Sequence, residues 1–155
     1  VRSPAEILSN AGVAFVVHTH APVATVAEIV EALPFPASEH VKTLAVDADG
    51  ALALAALRGH DRVQFGKLAR ALGVARDRIA PLAPERVRSE LGHEPGGVCP
   101  LVDRDDVRVL LDRHVLALDR CFCGSGRSDA SLELSAADLA ATARAEVADL
   151  VMDGS

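Results

Sequence analysis

Apolar positions along the chain recur at two periods, and the changes between them divide it into elements. Phe65, Leu68, Ala69 and Leu72 stand at i, i+3, i+4 and i+7, which predicts a helix with one apolar face, closed by Gly73. Ser3-Pro4-Ala5-Glu6 combines a capping residue, a proline at the first helical position and a capping-box glutamate, so a short helix should run from there to Gly12. Thr25 and Glu28 repeat the capping spacing and predict a helix from Val26 to Leu33, stopped by Pro34 and Pro36. Pro84 can open another helix through Leu91, and Ser135 followed by Asp138 predicts one to about Ala143.

The β-branched and alternating runs lie between these helices. Val13 to Val17, Val107 to Leu111, Val115 to Phe122 and Val147 to Val151 read as strands. Val41 to Val46 and Ala51 to Leu57 flank Asp47-Ala48-Asp49-Gly50, and the Asp-Gly pair makes this the clearest hairpin signal. A hairpin rules out a purely parallel sheet. The expected class is α/β of the α+β type, with a mixed, largely antiparallel sheet and surrounding helices.

Composition narrows this picture. A chain of 155 residues with half its positions apolar can bury a real core, and residues 1–155 are expected to form a single domain. Trp and Tyr are absent, so Leu, Val, Ile and Ala must fill that core. The formal charge of −6 argues against strong backbone-driven binding of nucleic acid, DNA above all, but leaves room for a local patch that recognises one RNA end. No apolar run approaches the roughly 20 residues of a membrane span, and Val1-Arg2-Ser3-Pro4 lacks a secretory pattern, so a cytoplasmic protein without a membrane partner is expected. The odd count of three cysteines, Cys99, Cys121 and Cys123, suits a reducing compartment.

Candidate chemistry concentrates at a few places. Lys42 alternates onto the face shared by Leu44 and Val46, where an ammonium must snorkel, find an anion or lose its charge. It is either a strand-end lysine reaching solvent or an ammonium held at a pocket mouth for a phosphate or carboxylate-like group. The segment Gly92-His93-Glu94-Pro95-Gly96-Gly97-Val98-Cys99-Pro100 has more glycine and proline than a turn requires. Its successive N–H groups could cradle an anion or oxyanion, or it could be a structural loop. Gly124-Ser125-Gly126 could line a pocket or simply turn the chain, and it lacks the spacing of a nucleophile elbow. Asp112, ending a strand, could pair with Lys42, orient the loop, or do neither. His18-x-His20 and Cys121-x-Cys123 do not match usual zinc spacings, so no metal and no other cofactor is expected. Cys99 is the one thiol placed for catalysis, without a drawable Cys/His dyad.

In order and spacing, Val41-Lys42-Thr43-Leu44, Gly92-x-x-Pro95-Gly96-Gly97-Val98-x-Pro100-Leu101, Leu111-Asp112 and Gly124-Ser125-Gly126-Arg127 resemble the YbaK family. That family includes the editing domain inserted in bacterial prolyl-tRNA synthetases and its free-standing relatives. Leu132-Glu133-Leu134-Ser135 and Asp138-Leu139 resemble its closing strand and helix, so the likeness runs from about His18 to Leu150. The resemblance implies a partly barrel-like central sheet and a trans-editing hydrolase that removes a wrong amino acid from the tRNA 3′ end. Lys42 would hold the terminal adenosine and its phosphate, and Gly92, Pro95 and Gly96 would position the ester through backbone groups. His20, Thr25, Gly97, Val98, Pro100, Asp112, Gly124, Ser125 and Gly126 would contribute to substrate binding. No protein nucleophile is implied; water or the substrate's own hydroxyl or thiol would attack. The expected partners are mischarged tRNA and an aminoacyl-tRNA synthetase. The competing reading is a non-catalytic module of the same fold that binds an aminoacyl-adenosine-like ligand or a synthetase. A Cys/His metal hydrolase is a third.

Overall fold

The computed structural model describes residues 1–153, and its strands form two sheets. The hairpin is built from β2 (Val41–Ala48) and β3 (Ala51–Arg58), paired in unbroken register from Val41 opposite Arg58 to Ala48 opposite Ala51. Asp49 and Gly50 turn it with φ of 54° and 91°, the left-handed pair that matches strand twist. The Asp47 carboxylate accepts the Gly50 N–H at 2.8 Å and fixes that turn. A short β4 (Ile79–Pro81) lies antiparallel on the outer side of β2. β5 (Arg108–Asp112) lies parallel to β3, and β8 (Glu146–Ala148) lies parallel to β5. The second sheet has β7 (Ala130–Ser135) between β1 (Val16–Thr19) and β6 (Arg120–Gly124), all antiparallel. Four antiparallel pairings against two parallel ones make the architecture mixed and largely antiparallel, as expected.

The helices seal the faces of these sheets. α1 (Pro4–Asn10) carries the complete capping box of Ser3 and Glu6, and Leu8 is buried beneath it. α2 (Val26–Ala32) is capped by the Thr25 hydroxyl and ends before Pro34. α3 (Phe65–Leu72) buries Leu68, Ala69 and Leu72, and Gly73 closes it at φ 72°. α4 (Pro84–Arg86) passes into a π-type turn, Val87–Leu91. α5 (Arg113–Leu116) is a single turn, and α6 (Ala136–Ala143) is capped by Ser135. Alternation along β5 sends Leu111 into the core beneath the three-stranded sheet, α1 and α6, and Leu110 into the core under α3. Among the described residues no helix is long and apolar enough to cross a membrane.

Two expectations are corrected, and one strand is new. Val115 and Leu116 belong to helix α5, because the buried Asp112 carboxylate caps a turn there, accepting from the His114 N–H at 3.1 Å and from its Nδ1 at 2.8 Å. The first strand starts at Val16 rather than Val13, whose side chain packs against the core as the chain leaves α1. β4 was not anticipated, since three residues ending in proline carry no periodic signal, and its position is set by β2 beside it.

The two sheets meet at one place that matters for the site. A parallel main-chain bridge joins His40, just before β2, to Phe122 in the middle of β6. Phe122 is stacked on Phe35 at 4.2 Å between ring centroids, with the Arg120 guanidinium over both rings at 5.1 and 5.3 Å. This stack anchors the segment between α2 and β2 against the second sheet.

Candidate functional site

A cleft with a cavity volume of about 140 Å³ opens along this seam. The start of β2 forms one wall, with His40, Lys42 and Thr43 among its residues. Phe122, Gly124 and Ser131 from the second sheet form the facing wall. Pro95, Gly96 and Val98 approach from the loop, and Thr25, Val26 and Ile29 from the start of α2. The volume is well below the roughly 300 Å³ at which pockets for drug-sized ligands begin. It suits one small group, with anything larger left outside the mouth.

Lys42 reaches the cleft from β2, and its ammonium donates to the main-chain carbonyl of Asp61, past the end of β3. The Asp61 carboxylate itself is buried and taken by Arg58, at 2.8 and 3.3 Å, with His60 Nε2 at 3.4 Å. Burial pushes the Lys42 ammonium below its ordinary value, the charge of Arg62 adds to that, and the Asp61 carboxylate opposes it. Among the described residues Lys42 is therefore a half-buried cation with one neutral acceptor and no direct carboxylate partner, a setting open to an anion.

The loop is held rigidly. Pro95–Gly97 forms a 3-10 turn, with the Gly97 N–H on the Glu94 carbonyl at 2.8 Å. The Gly126 N–H donates to the Gly97 carbonyl at 2.7 Å, and the Glu94 N–H to the Gly126 carbonyl at 2.9 Å. The Glu94 carboxylate takes the Ser128 hydroxyl at 3.1 Å. A Cβ on Gly96 would collide with the Val23 carbonyl, one on Gly97 with the Arg127 backbone, and one on Gly124 with the carbonyls of Gly97 and Val98. The glycines are thus needed for backbone-on-backbone packing between the loop and the β6–β7 turn. Among the described residues the N–H groups of Gly96 and Val98 have no hydrogen-bond partner, and both residues line the cleft.

The residues singled out from sequence therefore divide. Lys42, Thr25, Pro95, Gly96, Val98 and Gly124 line this cleft. His20 stands behind it: its Nδ1 donates to the Ala21 carbonyl at 2.8 Å, so Nε2 accepts from the Ser131 hydroxyl at 2.9 Å. Gly97 is buried beneath the loop, and Pro100 is buried beyond it. Gly92 caps the π-type turn at φ 72°, and with Ser125 and Gly126 it borders a different cavity near α1. Asp112 neither pairs with Lys42 nor touches the loop. Its second oxygen accepts the Leu150 N–H at 2.9 Å, so it ties β5 to the segment after β8. Cys99 is wholly buried, beside Cys121 and Cys123 in the core, and burial holds the Cys121 thiol far above its usual value. His18 Nε2 donates to Glu133 at 2.8 Å, away from His20's partner, so the two histidines do not converge. Asp61, Asp112 and His114 do converge, but Arg58, Leu150 and the α5 cap already occupy their oxygens.

Sequence reasoning missed His40, Thr43, Asp61, Phe122 and Ser131. Ser131 and Phe122 carried no signal, being ordinary strand residues. Asp61 could have been noticed as a polar residue following the strand opposite Lys42, and His40 as a histidine two residues before it.

Comparison with known proteins adds a frame for this geometry. Residues 20–142 match the family described as the aminoacyl-tRNA editing domain. A proline–tRNA ligase of Shouchella clausii is 35% identical over 104 residues, which is 67% of this chain and 18% of the ligase. One from Xanthomonas oryzae pv. oryzae is 34% identical over 108 residues, 70% of this chain and 19% of the ligase. The chain thus spans about a fifth of the length of these relatives. Among solved structures, a hypothetical protein superposes with a TM-score of 0.84 at 27% identity, covering 96% of this chain and 98% of that one. A protein proposed to be a trans-editing enzyme for prolyl-tRNA synthetase superposes with a TM-score of 0.79 at 26% identity, covering 89% and 87%.

Proposed function

The chain belongs to the aminoacyl-tRNA editing domain family, and on that premise we propose that it is a deacylase cleaving the ester that joins a wrong amino acid to the 3′ end of tRNA. The observation that carries this reading is the pairing of Lys42 with the unpartnered N–H groups of Gly96 and Val98 around one small cleft. An aminoacyl ester offers what that cleft lacks: a carbonyl oxygen for the N–H donors and a nearby phosphate for the ammonium.

In this mechanism the aminoacyl group enters the cleft and the terminal adenosine stays at its mouth. Lys42 holds the phosphate side of the nucleotide, working as a clamp. Water, held by the neighbouring ribose hydroxyl, attacks the ester carbon. As the carbonyl oxygen gains charge, the Gly96 and Val98 N–H groups donate to it, already fixed in place by the loop's main-chain bonds. The carbon–oxygen bond to the ribose then breaks, and the attacking group's proton passes to the leaving ribose oxygen. Positioning and oxyanion stabilisation supply the acceleration, and no side chain acts as nucleophile. The thiol that borders the cleft fits that, since the hydrogen bond with Cys99 and burial hold Cys123 well above its ordinary value. The reaction would belong to the cytoplasm, with mischarged tRNA as substrate and a synthetase as its source.

The test is a panel of mischarged tRNAs, prolyl and alanyl acceptors first, offered with and without a synthetase. Wild-type protein should release at least one amino acid above the spontaneous rate. Lys42→Ala should lower that rate by about 100-fold or more, the scale seen when a positioning or charge-stabilising group is removed. Release of every amino acid at the uncatalysed rate would sink the proposal.

A further inference from the structure

The glycine-proline loop borders a second cavity, of about 680 Å³, which falls within the usual range for small-ligand sites. Gly92 and His93 face this cavity, whereas Pro95, Gly96 and Val98 face the cleft. The β6–β7 turn is shared in the same way, with Gly124 on the cleft and Ser125 and Gly126 on the cavity. Ala130 borders both. His93 precedes Gly96 by three residues, so their α-carbons stand at most about 11 Å apart.

His93 is 4% exposed and lines the cavity. Its Nδ1 accepts the Cys99 N–H at 3.3 Å, which places the ring proton on Nε2. Burial holds the ring below its ordinary value, so at neutral pH it is uncharged and Nε2–H is its single donor. That N–H has no partner among the described residues, and it is not one of the polar atoms sealed from solvent. A Cβ on Gly126 would stand 3.2 Å from His93 Cδ2, the atom next to Nε2, so the glycine leaves this edge of the ring clear. A side chain more than nine-tenths buried thus offers one fixed donor to whatever enters.

The surroundings narrow the ligand. Pro4, Leu91, Ala130 and Leu132 are buried apolar residues of the wall, and Val17 is a half-exposed one. The arginines of the rim are each held by a carboxylate, Arg2 by Asp103, Arg104 by Asp106 and Arg127 by Asp129. A ligand therefore meets one neutral donor between apolar walls, a setting for an uncharged ring with an acceptor on its edge rather than for a phosphate or a metal ion. An unpaired nucleobase has that chemistry, and single-stranded RNA is recognised through bases splayed out of their stack. The terminal adenosine is tied to the aminoacyl group at the mouth of the cleft, which leaves the two cytosines before it. We propose that this cavity receives one of those cytosines, with His93 Nε2–H donating to its ring nitrogen or carbonyl oxygen. The substrate then grips the loop from both sides, by its aminoacyl group in the cleft and by a base in the cavity.

This inference rests on the deacylase reading for its choice of ligand, and its test separates the two. The probes are the trinucleotide CCA, the same trinucleotide with abasic sugars in place of both cytosines, and 3′-alanylamino-3′-deoxyadenosine, whose amide resists hydrolysis and which reports on the cleft alone. Wild-type protein should bind CCA at least about 10-fold more tightly than its abasic form, the scale of one hydrogen bond and its apolar contacts. Thr19 and Val17 are exposed positions of β1 that line the cavity, so Thr19→Trp or Val17→Trp would fill it. Either variant should bring CCA to within about twofold of the abasic form. Affinity for the cleft probe should hold within about twofold, which shows that the variants are folded. The His93 Nε2 resonance of histidine-labelled protein should move on addition of CCA and stay in place with the abasic form. Equal binding of CCA and its abasic form by the wild type, or an unchanged preference in both tryptophan variants, overturns the assignment. A cytosine preference that is lost in the variants, without hydrolysis of any mischarged tRNA by the wild type, upholds it and overturns the deacylase reading instead.

Discussion

At the scale of single residues, the site depends on what is missing from them. Gly96 reaches the cleft because no side chain holds the loop away from Val23, and Gly97 and Gly124 allow the same closeness on the loop's other side. Gly96→Ala should therefore push the loop outward, lowering stability by about 1–3 kcal/mol, as overpacking does, and lowering deacylation more than binding of tRNA. Urea unfolding with single-turnover deacylation checks both. Lys42 and the glycine-proline loop were legible in the sequence because they break local rules: a cation on an apolar strand face, and glycines in excess of any turn. His40 and Thr43 were not legible. Their place beside the cleft depends on the second sheet, whose Phe122 packs on His40 from 82 positions further along the chain.

Among the elements, local chemistry and tertiary context share the decisions. The hairpin, α1, α2, α3 and α6 were all readable, since Asp49-Gly50, the Ser3, Thr25 and Ser135 caps and Gly73 act within a few residues. α5 was misread because Val115 and Leu116 look like strand, whereas the buried Asp112 carboxylate turns the chain into a helix at once. The same carboxylate holds the Leu150 N–H, so one side chain connects β5, α5 and the last described segment. Asp112→Ala would leave the buried Leu150 N–H unpaired and uncap α5. It should cost about 1–3 kcal/mol, detected as a lower denaturation midpoint, while the affinity for a cleft ligand changes little. Had Asp112 paired with Lys42, ligand affinity would fall with stability.

For the molecule as a whole, two buried imidazoles shape its response to acid. His40 is 2% and His93 4% exposed, and burial holds both below the ordinary histidine value of 6.5. A depressed base binds its proton less readily folded than unfolded. From pH 6.5 downward the unfolded chain therefore takes up protons that the native state refuses, and stability falls with pH until the folded groups titrate. Above 6.5 these two residues contribute no slope. Equilibrium unfolding at pH 7.5 and 5.5 should show the loss, and His93→Gln, which can still accept the Cys99 N–H that His93 Nδ1 holds at 3.3 Å, should reduce it.

The cleft lies where His40 bridges to Phe122, so its walls come from both sheets. Whatever fills it must touch two separately hydrogen-bonded layers at once and act as mortar between them. Occupancy and cohesion are then one equilibrium: each tenfold excess of ligand over its dissociation constant adds about 1.4 kcal/mol to the folded state. A protein waiting for an error in translation is, on this account, loosest along its seam while idle, and most tightly knit while a substrate is in its grip.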